Sequence, residues 1–277
     1  MRAVDAEAVG KLLGFGYRRY PGVFLVAAAL FNWALAVLLI SIRLSTLFIA
    51  TPIFAGIPVP NMARVLLVLG ISLAFANTVY WPELGTVDLA WLVSAAVAEL
   101  IIGAAMASVL FAGFAAFHFG GRLLDFQIGF GLAGLVDIAT RNNMPLVGSI
   151  LSMLAVLMFF LIDGHLAMLQ VLQLSFMKLP LGAGIANLDI GVFIAYFGAC
   201  FSLGFAIVAP VVLCLLLIDI GMAFMSRTMP QMNVFILSLG LKVIVGLIIL
   251  AIVVPFSGGI IHMLFDSIFT TWGKAVT

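Results

Sequence analysis

Residues 234–254 read VFILSLGLKVIVGLIILAIVV, an apolar run broken by one charge, Lys242. A helix rises about 1.5 Å per residue, so about 20 apolar residues match the ~30 Å hydrocarbon core of a bilayer. A helix apolar on every face belongs inside a large protein or in a membrane. Working outward from this run, further long apolar stretches lie at about 23–48, 63–79, 90–117, 146–172 and 190–218. The first is interrupted by Asn32 and Arg43, the third holds Glu99, and the fourth holds Asp163 and His165. The expected fold class is therefore all-α: a polytopic membrane protein of about six long hydrophobic helices. A shorter amphipathic piece, about 260–272, follows Pro255 and Gly258-Gly259.

Composition supports the same class. Of 277 residues, 65% are hydrophobic and 8% charged; a soluble domain is about half apolar and about a quarter charged. Such a chain cannot cover a globular surface with its 12 Lys and Arg and 11 Asp and Glu. It needs lipid or a very large protein interface around it, which excludes a soluble enzyme and a disordered tail. The formal net charge of +1 provides no basic surface for a phosphate backbone, so nucleic acid is not an expected partner. Cys200 and Cys214 sit in apolar runs without Cys-x-x-Cys spacing and read as small helix residues.

Residues 1–22 form a polar or amphipathic lead-in carrying Arg2, Lys11, Arg18 and Arg19, and residues 23–277 read as a single helical membrane domain. The basic lead-in favours a cytoplasmic start. Prolines punctuate the connections, at Pro52, Pro58 and Pro60, then at Pro82, Pro180 and Pro230, because each locks φ and removes a donor.

The longest stretch between spans is 120–145, GGRLLDFQIGFGLAGLVDIATRNNMP. Its glycines lower helix stability by up to about 1 kcal/mol each relative to alanine. Nonhelical backbone at membrane depth survives only inside protein or along a watery cavity. The stretch is thus a re-entrant loop or a close helix-packing segment. Its apolar body (Ile128, Phe130, Leu132, Leu135, Val136, Ile138 and Met144) and polar end (Asp137, Arg141, Asn142 and Asn143) suit a plug that excludes water and moves aside, or an ordinary linker between helices.

Catalytic chemistry finds little footing. H-E-x-x-H, G-x-S-x-G and G-x-x-x-x-G-K-[ST] do not occur, and no two of His118, His165 and His262 are four residues apart. No metal site and no cofactor is expected, and the chain does not read as an enzyme. Ionisable residues inside apolar runs are Arg43, Glu99, Asp163, His165, Asp219 and Lys242, and such residues mark function or packing. Read from the residues alone, a secondary transporter of a small solute or ion using Asp163 and His165 is one alternative. An intramembrane hydrolase is another.

An ordered series of short motifs resembles a known family. RLSTLF occupies 43–48, TPIFAGIPVP 51–60, ELIIG 99–103 and GRLLDFQIG 121–129. NMP follows at 143–145, DGH at 163–165, SF at 175–176, LP at 179–180 and RTMPQMNVF at 227–235, with Lys242 beyond. Together they are similar to the type III secretion export-apparatus proteins of the FliR/SctT family, over about 36–265. Gln127 and the Gly164-His165 pair look more like the flagellar branch, while the lead-in is longer than that branch suggests, so both branches stay open.

The resemblance implies a non-catalytic subunit of a helical export-gate assembly. One copy would join several FliP-like and FliQ-like subunits, with an FlhB-like switch protein at the cytoplasmic entrance. The complex would sit in the bacterial inner membrane at the base of a flagellum or injectisome. Unfolded exported proteins would cross its centre. The segment 128–144 would project into the lumen as a plug, sealed by Ile128, Phe130, Leu132, Leu135 and Met144 and bent at Gly129, Gly131 and Gly134. Helices surrounded by other subunits rather than lipid would let Arg43, Glu99, Asp163 and Lys242 form pairs between subunits.

Overall fold

The computed structural model describes residues 21–51, 60–78, 88–131, 145–182, 189–229, 231 and 233–275. Among these, every regular element is a helix. In chain order they are α1 (Pro21–Ala50), α2 (Asn61–Ala76), α3 (Leu89–Ile128), α4 (Leu146–Leu161), α5 (Gly164–Lys178), α6 (Ile190–Thr228), α7 (Val234–Phe256) and α8 (Gly258–Ala275). The lead-in up to residue 20 lies outside the described residues. Proline at the head of α1 suits a first turn whose N–H groups have no helical partner.

The helices divide into two compact units that interleave along the chain. The first takes the chain up to Ser108 together with Met168–Asp189, and so holds α1, α2, the first half of α3 and most of α5. In α1 the buried positions among the described side chains are Leu35, Ala36, Leu39, Ile40, Arg43, Leu44 and Leu47. Their three- and four-residue spacing is one helix face. Unusually, that face carries an arginine at its centre. α2 packs on α1 through the shorter stripe Val68, Ser72 and Ala76, and Phe75 meets Phe176 of α5 at 5.8 Å between ring centroids.

The second unit takes Val109–Ala167 and Ile190–Lys274. Its core is aromatic. Phe265 of α8 lies 5.7 Å from Phe114, 6.0 Å from Phe117 and 5.7 Å from Phe159 between centroids. α8 is amphipathic as the sequence suggests: Ile261, Leu264, Phe265, Ile268 and Trp272 are buried, while His262, Asp266 and Thr270 form an exposed stripe four residues apart. α6 and α7 pack as an antiparallel pair whose outer faces stay apolar and open.

The six expected runs correspond to α1, α2, α3, the pair α4 and α5, α6 and α7. Among the described residues, four helices are long and apolar enough to cross a membrane, or five if one bent pair counts as a span. The run at about 63–79 yields only the 16 residues of α2, about 24 Å of helix, which falls short of the hydrocarbon core. The run at 146–172 is not one rod: α4 and α5 are bent by 70° at the break between them. The run at 90–117 is longer than expected, because α3 continues through Gly120 and Gly121 to Ile128. Helix wins there because Gly121 lies directly against the backbone of Gly148, an approach that any side chain would block. For residues 120–128 the close-packing reading therefore holds, and the loop reading does not.

Candidate functional site

The densest polar construction is in the first unit, around Arg43. Its Nε donates to Glu99 Oε2 at 2.5 Å, one terminal nitrogen to Ser175 Oγ at 3.1 Å, and the other to the Leu179 carbonyl at 3.1 Å. The second oxygen of Glu99 accepts the Gly182 N–H at 3.2 Å. The guanidinium carbon stands 4.3 Å from the centre of the Phe176 ring. Both side chains of the ion pair are 0% exposed. A buried charge is tolerated only when paired and hydrogen-bonded, and here one forked cation meets three acceptors while its carboxylate keeps a further donor. The cluster ties α1, α3, α5 and the turn after α5 together.

This corrects the expectation that Arg43 and Glu99 pair between subunits. They pair with each other within the chain. Each lies on the inward face of its helix, so the charges are consumed in folding the first unit.

Lys242 and Asp219 form another ion pair, joining α7 to α6, with side chains 18% and 40% exposed. Lys242 thus has an intrachain partner as well, though its pair remains open on one side. Near the pair along the two helices, Leu216, Leu217, Ile220, Leu241 and Ile244 are exposed.

Asp163 sits in the turn between α4 and α5 at φ 57°. Its side chain is exposed, and its carbonyl accepts the N–H groups of Leu166 at 2.9 Å and Ala167 at 3.2 Å. Aspartate tolerates this left-handed conformation better than bulky or β-branched residues. Gly164 beside it packs against the Phe159 ring at a spacing that admits no Cβ. His165 lies 5.5 Å from the Phe160 ring between centroids, and its buried Nδ1 has no hydrogen-bond partner among the described residues. The Asp163-Gly164-His165 constellation thus forms the 70° bend between α4 and α5. We expect Asp163→Asn, which keeps the left-handed turn, to leave the stability of the isolated chain unchanged, and Asp163→Val to cost about 1–2 kcal/mol. Thermal unfolding of the isolated chain in detergent checks the pair.

The plug candidates divide. Ile128 is the last residue of α3, 0% exposed, and its side chain approaches Gly246 of α7. Gly129 ends the helix at φ 102°, a region that glycine enters freely, with its N–H donating to the Asp125 carbonyl at 3.2 Å. Phe130 is half-buried and Gly131 exposed. Leu132, Gly134, Leu135 and Met144 lie outside the described residues. Among the described residues no group of His, Cys, Asp and Glu could hold a metal ion.

One buried carboxylate escaped the sequence reading. Asp125 is 4% exposed, and its two oxygens accept the N–H groups of Val147 and Gly148, each at 2.9 Å. A signal existed: α4 begins after Met144-Pro145, with no Ser, Thr, Asp or Asn to cap it locally.

Comparison with known proteins gives this architecture its context. Residues 34–268 match the family described as bacterial export proteins, family 1. The flagellar biosynthetic protein FliR of Bacillus subtilis is 30% identical over 221 residues, 78% of this chain and 85% of its own. That of Escherichia coli is 28% identical over 82% of this chain and 87% of its own. The surface presentation of antigens protein SpaR of Shigella flexneri is 27% identical over 154 residues, 56% of this chain and 60% of its own.

Proposed function

The chain belongs to the family of bacterial export proteins, family 1, and on that premise we propose that it is a non-catalytic subunit of a type III, flagellar-type protein export gate. In this reading it helps to form and seal a channel through which unfolded proteins cross the bacterial inner membrane. The family match over 34–268 carries the reading.

The open surface of the second unit supports it. Only 28% of the most apolar part of α6 and 11% of that of α7 are buried inside the chain, against 61% for α3. The half-exposed Asp219–Lys242 pair lies on this same apolar hairpin. Charges at membrane depth face protein or water rather than lipid tails. A hairpin of this kind suits packing against other helical subunits, and we assign FliP-like and FliQ-like proteins to that role, with one copy of this chain per complex. An FlhB-like protein would sit at the cytoplasmic entrance. Lys242 and exposed Asp163 are the assembly candidates that remain once Arg43 and Glu99 are paired internally.

The seal is assigned to the segment after α3, with Phe130, Leu132, Leu135 and Met144 as its apolar body and Gly129, Gly131 and Gly134 as its bends. Ile128 anchors its base. Deleting residues 131–142 is expected to leave the complex assembled while the closed channel leaks ions. Membrane conductance in cells or in planar bilayers measures this. An assembled complex of unchanged conductance would sink the assignment.

A further inference from the structure

The first turn of α4 has no cap of its own. Pro145 occupies the N-cap position and no side chain there accepts a hydrogen bond. Val147 and Gly148 are nevertheless buried, so their N–H groups cannot turn to water. Asp125 supplies both acceptors from a different helix, one carboxylate oxygen to each amide. Its negative charge faces the positive end of the α4 dipole as well. One turn earlier in α3, Gly121 meets the Gly148 backbone. Asp125 itself stands one turn before the end of α3, and its carbonyl receives the Gly129 N–H. A single residue therefore joins the last turn of α3 to the first turn of α4.

We propose that Asp125 is a positioning residue for channel sealing: its carboxylate sets the spacing between the end of α3 and the start of α4, the two points from which the seal is held. This rests on the seal reading given above. It depends only on contacts among Asp125, Val147 and Gly148, whatever the conformation of the chain between the helices. A residue that only stabilised the fold would change how much complex forms. A positioning residue changes how well each complex is sealed.

The test compares Asp125→Ala, Asp125→Asn and the 131–142 deletion in the complete complex, reading ion conductance per assembled particle alongside assembly yield. Asp125→Ala is expected to raise the leak several-fold at normal yield. Asp125→Asn, which keeps one acceptor, should fall between it and the parent. Hydrogen exchange gives a local signature: losing a charge-assisted hydrogen bond should speed exchange at Val147 and Gly148 by about ten- to a hundredfold, with amides later in α4 unchanged. If the deletion leaks and both Asp125 variants stay tight, the positioning role is overturned and the seal reading stands. A tight deletion overturns both. If Asp125→Ala does not assemble, Asp125→Asn decides: lower yield with no added leak per particle makes Asp125 merely structural and overturns the proposal.

Discussion

Arg43→Ala is expected to remove most of the folded protein from membranes. The change deletes the cation that Glu99 was buried against, and breaking a buried pair from one side costs about 3–5 kcal/mol. That is a large part of the roughly 5–15 kcal/mol by which domains are stable. It also frees the Ser175 hydroxyl and the Leu179 carbonyl from their shared donor. Glu99→Ala should be nearly as damaging, since it strands a guanidinium in an apolar core. Changing both residues to alanine should cost less than the sum of the two single changes, because neither charge is then left alone. Membrane levels and thermal unfolding in mild detergent, measured over the full cycle, test this. Additive losses would show that the pair is not the unit of stability here.

Gly121→Val carries the second large effect. A Cβ at position 121 would run into the Cα and N of Gly148, and backbone cannot step aside as the tip of a side chain can. Ordinary overpacking costs about 1–3 kcal/mol, and a backbone collision should exceed that. The α3–α4 junction would have to separate, taking the Asp125 hydrogen bonds with it. Gly70→Ala is the matched control, because nothing lies within 4 Å of a Cβ there. It should be neutral or stabilise α2 by up to about 1 kcal/mol. Equal losses at the two positions would contradict the close approach of α3 to α4.

The contrast between these sites shows what the sequence could reveal. Helix and membrane character were legible in every long apolar run, because composition alone determines how much surface must avoid water. The length of a span was less legible. α2 ends after 16 residues, just before polar Asn77 and Thr78, which the run at 63–79 takes in. α4 and α5 read as one run until the left-handed Asp163 divides them. Gly120 and Gly121 read equally well as loop or as contact, since a glycine's role depends on what approaches it, and Gly148 is distant in sequence.

The charges show the same limit. Arg43 and Glu99 were recognisable as functional or packing groups because a lone charge in an apolar run is costly. Their partner was not, because a hydropathy pattern does not say which faces of two helices meet. Asp125 went unnoticed for a related reason. It lies among polar and glycine-rich residues where a carboxylate looks ordinary, and only the uncapped start of α4 at Pro145 asked for it. The order of the short motifs carried the family, whereas the roles of individual residues within it depended on three-dimensional contacts.

The central claim is that this chain works as one subunit of a mixed gate. Its most direct test is native mass spectrometry of the tagged protein, co-expressed with the membrane proteins encoded beside it and extracted in mild detergent. The account predicts a discrete complex containing one copy of this chain and several copies of two other membrane proteins. A lone monomer or a homodimer, with those neighbours well expressed, would contradict it.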